Sequence, residues 1–379
     1  MRIEIAGHCD DAFVSVREVF ENNFSQGLEV GASFAAVVDG EMVVDLWAGH
    51  ADAARTRPWE RDTIVNVYST TKAMTALCLN MVIERGQVDA DAPVADYWPE
   101  FAVGGKEAVL VRHVMSHSSG LSGWAEPVTV DDVCDWELST SLLAGQEPWW
   151  EPGSASGYHA LTHGHLIGEI LRRVDGRTIG TFFAEEVAAP LGADFFIGLP
   201  ETEETRVAEM VTPPDMSSAT AALDELGPDS VAMRTFTNPL LTGDVANLRR
   251  WRAAEIPAAN GQGNARSVAT VAGAIASGKL LGDAQIERIL QTQVEGPDLV
   301  LAGVPIRFGL GYGLPNEAFP VGTGPRTFFW GGWGGSTVVI DMDARAGSSY
   351  VMNKMSPDVL GDVRGGSLGL ALNEALART

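Results

Sequence analysis

The stretch Ser69–Gly86, STTKAMTALCLNMVIERG, constrains the fold most, because it is helix-forming and carries apolar residues on nearly every side. Gly86 follows Arg85 as a natural C-cap. A helix without a polar face is stable only inside a protein. The sequence therefore predicts a central helix that other elements cover all round, in a chain whose 379 residues are enough to build such a core.

Strand signals lie on both sides of this helix in the sequence. Two apolar runs flank Asp39-Gly40, a dipeptide that strongly favours a tight hairpin, and predict antiparallel strands at about Ser33–Val38 and Met42–Ala48. Near the other end of the chain, two strands are predicted at about Ser336–Met342 and Ser348–Asn353. The last segment, SLGLALNEALART, is typical of a terminal helix.

The middle of the chain alternates helix-like segments with loops rich in proline and glycine, and the acidic segment Pro200–Thr220 is predicted to form surface loops. The fold class that follows is α/β (α+β), with an antiparallel sheet flanked by helices. We predict one α/β domain from residues 1–87 and 241–379, with a mostly helical second domain, residues 88–240, inserted. A cleft between the two is the natural place for a site.

The charge balance limits the partners. There are 26 basic and 50 acidic residues, for a formal charge of −24, which repels nucleic acid and anionic membrane surfaces. No segment has the roughly 20 apolar residues needed to cross a bilayer. The N-terminal sequence MRIEIAGHCDD lacks the long apolar run and the cleavage site that are typical of a secretory signal. We therefore expect a cytoplasmic protein with a small-molecule substrate, without a cofactor, and without disulfides, since its three cysteines show no paired spacing.

Ser69 and Lys72 lie three residues apart, so on a helix their side chains share a face. A serine hydroxyl becomes a strong nucleophile when a neighbour accepts its proton, and a lysine can do so as the neutral amine, which burial favours. The pattern also arises by chance, as a helix N-cap followed by a solvated lysine. Catalysis is favoured because the chain has only four lysines and this one lies in an apolar helix.

Two further elements could complete such a site. Tyr158 lies in a Pro/Gly-rich loop before a helix, and a phenol near an ammonium has a lowered pKa and can act as a general base. The alternative is a tyrosine that only packs at a helix start. The segment FFWGGWGGST has glycines that let a ligand approach the backbone, or that mark a strand bend.

Together the three elements resemble the motif set of the serine β-lactamase-like hydrolases, and most closely the family VIII carboxylesterases. The matching residues are Ser69-Thr70-Thr71-Lys72, Tyr158-His159-Ala160 and Trp330-Gly331-Gly332. The segments VMSHSSGL, PAANGQGNARSVA and GYGL add to the likeness, which runs from about residue 15 to the end. The resemblance implies a β-lactamase/transpeptidase-like fold and an acyl-enzyme on Ser69.

The roles implied by the resemblance are these. Ser69 attacks an ester carbonyl, the Lys72/Tyr158 pair takes its proton, and the amides of Ser69 and Trp333 hold the oxyanion. Tyr158 protonates the leaving alcohol, and the substrate site also includes Trp330, Gly331, Gly332 and His159. Penicillin-recognising relatives carry a lysine where this chain has Trp330, and an Asn where it has Ala160. Both departures favour neutral short-chain esters over acidic substrates.

Rival sites are weaker. GGSLG around Ser367 fits the nucleophile elbow of α/β-hydrolases, but all seven histidines precede it, so it is interpreted as a glycine-rich lead-in to the last helix. His159, His163 and His165 lack the spacing of a metal motif, so no metal site is predicted. His117 is interpreted as a brace for a loop. The alternatives to an esterase are an amidase or D-aminopeptidase, a weak β-lactamase, or a non-catalytic binding protein; the sequence leaves the oligomeric state open.

Overall fold

The computed structural model describes residues 3–213, 226–356 and 362–378. Eleven strands lie within these ranges, and we number them in chain order. They are β1 Ala6–Cys9, β2 Gly31–Val38, β3 Glu41–Gly49, β4 Val65–Asn66, β5 Phe195–Phe196, β6 Gln262–Gly263, β7 Val294–Pro297, β8 Pro305–Phe308, β9 Thr327–Gly331, β10 Thr337–Asp341 and β11 Ala346–Met352.

Six of these strands form one antiparallel sheet in the order β1-β3-β2-β11-β10-β9. The predicted hairpin is confirmed, since β2 and β3 pair with Val38 opposite Glu41. Asp39 and Gly40 both take positive φ, 51° and 87°, as a two-residue turn of this kind requires. The two predicted C-terminal strands are confirmed as β10 and β11.

The α-helices of the described residues cover both faces of this sheet and build the middle of the chain. They span Val14–Ser25, Thr71–Glu84, Val111–Met115, Val130–Cys134, Trp136–Gly145, Thr162–Asp175, Ile179–Phe183, Ala189–Leu191, Val231–Phe236, Arg249–Ala253, Ala265–Ala276, Asp283–Leu290 and Val363–Leu376. A π-helix, Ala184–Ala188, joins two of them, and short 3₁₀ turns lie between others. The fold class, an antiparallel sheet flanked by helices, is therefore confirmed.

Strand β11 shows how the two faces are filled, because successive side chains of a strand point to opposite sides. All seven of its residues are buried. Gly347 lies against helix Ala265–Ala276, where an added Cβ would meet the backbone of Ala272 at 2.4 Å. Tyr350 points the other way and meets the start of helix Val363–Leu376.

The central helix, Thr71–Glu84, has the surroundings that its sequence predicts. Every residue from Thr71 to Ile83 is buried. The helix packs against helix Thr162–Asp175 on one side and approaches β9 on another. Asn80, which would be costly inside an apolar core, donates to the carbonyls of Ala76 and Leu310 and accepts from Gln285.

The terminal helix begins earlier than predicted. It starts at Val363, so Gly365 and Gly366 lie inside it and are not a lead-in. The acidic segment is a 3₁₀ helix at Glu201–Arg206, while its part from residue 214 onward lies outside the described residues. Within the described ranges, no helix combines the length and apolar character needed to cross a bilayer. The division of the chain at residues 88 and 240 stays a prediction.

Candidate active site

Ser69 lies in the 3₁₀ turn Tyr68–Thr70 that leads directly into the central helix. Tyr68 has a positive φ of 43°, an uncommon conformation for a bulky residue. The Tyr68 hydroxyl donates to the carbonyl of Gly243 at 2.6 Å, which fixes the turn from outside. Ser69 is half-buried between the buried residues Tyr68 and Thr70.

The structure brings Ser69, Lys72 and Tyr158 into mutual hydrogen-bond distance. Tyr158 OH lies 2.6 Å from Ser69 Oγ, and Lys72 Nζ lies 3.1 Å from Ser69 Oγ and 2.9 Å from Tyr158 OH. Helical spacing places Lys72 one turn after Ser69. Tyr158 comes from the loop that precedes helix Thr162–Asp175, which packs against the central helix. A nucleophile with two possible proton acceptors is the arrangement that acyl transfer requires.

Lys72 is fully buried, and burial holds the pKa of its amine well below the usual range. Its Nζ lies 2.8 Å from the carbonyl of Ala160 and 2.9 Å from that of Ala258. A neutral amine has two N–H donors and one lone pair, and carbonyls can only accept. With both N–H groups directed to the carbonyls, the lone pair is left for the hydroxyls of Ser69 and Tyr158.

Tyr158 differs from the expectation in its protonation state. Burial raises the pKa of its phenol above the ordinary value, the hydrogen bond with Ser69 acts in the opposite direction, and the carboxylate of Asp298 raises it further. The expected lowering of this pKa is therefore wrong, because burial of the phenol outweighs the hydrogen bond with Ser69. Burial thus favours the neutral form of both the phenol and the amine.

The third element packs against the turn that carries the nucleophile. A Cβ on Gly332 would lie 2.2 Å from the carbonyl oxygen of Val67, so only glycine fits without a shift. Ser336 Oγ donates to that same carbonyl at 2.8 Å and lies 2.9 Å from Thr70 Oγ1. The ring of Trp333 packs edge-on against Tyr68. The amides of Ser69 and Trp333 thus belong to two segments that are held together.

Trp330 stands where a lysine would hold a substrate carboxylate, and its indole is buried. It stacks on the ring of His117 with centroids 5.3 Å apart, and Phe308 and Tyr158 lie beside it. Lys106 and Lys354 bond elsewhere, to loop carbonyls. This element therefore supplies an aromatic wall behind Tyr158 without a positive charge, while Gly331 is exposed.

The resemblance places His159 in the substrate site, and the structure shows where its ring lies. The ring is fully buried, with Nδ1 2.6 Å from the carbonyl of Gly157 and Nε2 2.7 Å from Ser119 Oγ. Burial lowers the pKa of His159 to about 3, so it is neutral. With both nitrogens engaged, the side chain supports the Tyr158 loop from behind.

The rival sites do not assemble. His163 and His165 each bond a different backbone carbonyl, that of Met115 and that of Val133. Among the described residues, no group of histidine, cysteine and acidic side chains could hold a metal ion. Ser367 lies inside the terminal helix, where its hydroxyl donates to the carbonyl of Arg364. It therefore has no strained elbow of the kind a hydrolase nucleophile needs.

Two residues that hold the Tyr158 loop were not identified as site residues from the sequence. His117 was interpreted only as a loop brace, and the structure confirms this by showing that it braces the Tyr158 loop itself, through the amide of His159. Asp298 accepts from the amide of Tyr158, 140 positions away in sequence. Because the Asp298 side chain binds a backbone amide, no residue motif marks it.

The chain is similar to known proteins over nearly its whole length. The family model described as Beta-lactamase matches residues 20–372. "Esterase/beta-lactamase LipL" of Mycobacterium tuberculosis is 36% identical over 375 residues, covering 95% of this chain and 86% of that protein. A crystal structure of a family VIII carboxylesterase superimposes with a TM-score of 0.90 at 43% identity, covering 99% of this chain and 100% of the other. A penicillin-binding protein homologue from Caulobacter crescentus superimposes with a TM-score of 0.90 at 38% identity, covering 98% and 100%.

Proposed function

The chain belongs to the β-lactamase family, and within it we propose that the protein is a carboxylesterase that cleaves neutral short-chain esters through an acyl-enzyme on Ser69. The observation that carries this proposal is the close contact of Ser69 Oγ, Tyr158 OH and Lys72 Nζ, all within 3.1 Å of one another. The family VIII carboxylesterase and the esterase relative support ester hydrolysis as the reaction. A cytoplasmic location stays a prediction.

The proposed acylation moves one proton along this chain of groups. Ser69 Oγ bonds to the ester carbonyl carbon while its proton passes to the Tyr158 oxygen, and the Tyr158 proton passes to the Lys72 lone pair. The amides of Ser69 and Trp333 are proposed to stabilise the oxyanion. The first N–H groups of a helix have no intrahelical partner, which suits the amide of Ser69 to this role.

The second half of the cycle returns the proton. When the C–O bond of the ester breaks, Tyr158 protonates the leaving alkoxide and recovers its proton from Lys72, so a neutral alcohol departs. Water then attacks the acyl group on Ser69, giving up a proton to the Tyr158/Lys72 pair, and the acid leaves as Ser69 is reprotonated. No charged cofactor is needed for this balance.

Substitution of the two oxygen-bearing residues tests the proposal. We expect Ser69→Ala to abolish hydrolysis of p-nitrophenyl acetate and butyrate, and Tyr158→Phe to lower kcat by about 10²- to 10⁴-fold, the usual range for a lost general acid–base group. Ser367→Ala and Tyr97→Phe are matched controls that should keep full activity. Turnover by Ser69→Ala at close to the wild-type rate would contradict the assignment of Ser69 as the nucleophile.

The uncharged third element favours esters over acidic substrates. Trp330 offers no positive charge, so a substrate carboxylate would lie unpaired at this wall. We expect the rate on p-nitrophenyl butyrate to exceed those on a D-amino-acid amide and on nitrocefin, measured side by side with the same enzyme preparation. A faster rate on either of the other two would reassign the substrate class while leaving Ser69 as the nucleophile.

A further inference from the structure

The loop that carries Tyr158 is anchored at three consecutive amides. Gly157 N–H donates to the carbonyl of His117 at 2.9 Å, Tyr158 N–H to Asp298 Oδ1 at 3.0 Å, and His159 N–H to His117 Nδ1 at 3.0 Å. This part of the chain has no helix or strand hydrogen bonds of its own. The position of the phenol therefore depends on two side chains that come from elsewhere, His117 and Asp298.

Asp298 is 1% exposed, and one oxygen of its carboxylate accepts the hydrogen bonds described next. Oδ1 accepts from the amides of Tyr158, Val300 and Leu301, the last two at 2.9 Å. Oδ2 is buried and has no hydrogen-bond partner among the described residues. Leu299 N–H also donates to the carbonyl of Ser156, which ties the two loops together.

The carbonyl oxygen of an asparagine could accept the same three amides, so this local structure does not require a charge. Burying a carboxylate with one oxygen unpaired is costly compared with burying an amide. A feature that costs stability and is not needed for the local fold points to a role in function. The site residue that Asp298 holds by its backbone is Tyr158, whose phenol contacts Ser69 and Lys72.

Besides Asp298, the titratable groups around Tyr158 are a lysine and three histidines. Lys72 Nζ lies 4.7 Å from the Tyr158 ring centroid, and burial holds the pKa of its amine well below the usual range. The ring of His117 lies 5.2 Å from that of Tyr158 and its pKa is held well below the ordinary value by burial, as is that of His163 stacked behind it. His159 is neutral for the same reason.

We propose that Asp298 is a positioning residue for Tyr158, and that its negative charge strengthens the Lys72/Tyr158 pair as the acceptor of the Ser69 proton. The inference rests on the proposed esterase function. When that proton arrives, the pair gains a positive charge, and a fixed carboxylate anchored to the Tyr158 peptide stabilises it. The same carboxylate raises the pKa of the Tyr158 phenol, and a more basic phenol oxygen is what the proposal requires.

The test is Asp298→Asn, which keeps the amide acceptor and removes the charge. We expect kcat on p-nitrophenyl acetate to fall by about tenfold with KM nearly unchanged. Without a nearby anion, the protonated pair is less stable and its pKa falls, so the acidic limb of the kcat/KM profile should move to lower pH. The Tm should stay the same or rise, because an unpaired buried charge is lost.

Asp341→Asn is the matched control. Asp341 is also a buried carboxylate that caps a loop, through the amides of Thr323, Asp343 and Ala344, but it lies at the end of β10 away from Ser69. The kcat/KM pH profile of Asp341→Asn should match that of the wild type. If Asp298→Asn does not fold, Asp298→Ser, which keeps a short oxygen acceptor, is judged by the same shift of the acidic limb.

The outcomes distinguish a failure of this inference from a failure of the proposed function. An unshifted pH profile in Asp298→Asn, whether or not the rate falls, overturns the role of the charge. If Ser69→Ala retains activity, the proposed function itself is wrong. Loss of activity in Ser69→Ala, together with a shifted profile in Asp298→Asn and none in Asp341→Asn, supports both.

Discussion

At the scale of single residues, the site depends on how the protons of Lys72 are distributed. The amine is fully buried and has four acceptors within 3.1 Å, of which two are carbonyls. An ammonium would donate three hydrogens and leave nothing to accept the Ser69 proton. The neutral amine, which burial favours, donates two and keeps its lone pair.

Lys72→Arg tests this arrangement, because a guanidinium keeps its charge and cannot accept a proton at any working pH. We expect kcat on p-nitrophenyl acetate to fall by about 10³-fold. Lys106→Arg is the control, since Lys106 is also a buried lysine that donates to carbonyls, those of Val103 and Gln146. A Lys72→Arg variant with more than a tenth of wild-type activity would contradict the role of the lone pair.

The residues that bear the chemistry could be found from the sequence, whereas of their anchors only His117 was recognised, and only as a brace for a loop. Lys72 is conspicuous because lysine is rare in the chain, and Ser69 and Tyr158 follow from the motif resemblance. The anchoring roles of His117 and Asp298 depend on contacts across 42 and 140 positions to backbone amides. Burial of Tyr158, which reverses the expected direction of its pKa, is likewise a property of the assembled fold.

At the scale of secondary structure, local signals predicted four strands of the main sheet and the central and terminal helices, but not the other elements or all of their partners. The hairpin of β2 and β3 and the apolar central helix follow from turn chemistry and periodicity. The insertion of β11 between β2 and β10 joins segments more than 300 positions apart, and the edge strand β1 carries little pattern of its own. The junction of β9 with the nucleophile turn is also a nonlocal contact, formed at Gly332.

Gly332→Ala tests that junction. The new methyl group would lie 2.2 Å from the carbonyl of Val67 and 2.3 Å from Ser336 Oγ, so the end of β9 must move away from Ser69. A misplacement of about 1 Å is enough to lower kcat by about 10²-fold. We expect that loss on p-nitrophenyl acetate, together with a lower Tm in circular dichroism.

Gly331→Ala is the matched control for this effect. A Cβ there would meet only the carbonyl of Ser336, at 3.8 Å, which is ordinary van der Waals contact. This variant should keep the wild-type Tm. If both alanine variants behave alike, the close approach of Gly332 to Val67 does not position the site.

At the scale of the whole molecule, an acidic protein with a charge of −24 also encloses several neutral histidines. Burial lowers the pKa of His117, His159, His163 and His165, and no metal-binding cluster among the described residues accounts for them. In the unfolded chain each has an ordinary pKa of about 6.5. Acid should therefore favour the unfolded state, which can take up these protons when the folded state cannot.

His165 isolates this effect, because it lies away from Ser69 between Trp124 and Trp136, with Nε2 3.1 Å from the carbonyl of Val133. Its pKa is lowered to about 4 by burial. The unfolded state thus binds more protons than the folded state between about pH 4 and 6.5. The free energy of unfolding therefore rises with pH across this window and falls on acidification. At pH 5 the loss from this one residue is about 2 kcal/mol.

His165→Gln removes the titration and keeps a donor for the carbonyl of Val133. We expect the fall in Tm between pH 7 and pH 5 to be smaller in His165→Gln than in the wild type by about 2 °C, measured by differential scanning calorimetry. If the His165→Gln and wild-type curves run parallel from pH 7 to pH 5, then His165 takes up its proton as readily in the fold as in the unfolded chain, and the acid sensitivity of the protein has another source.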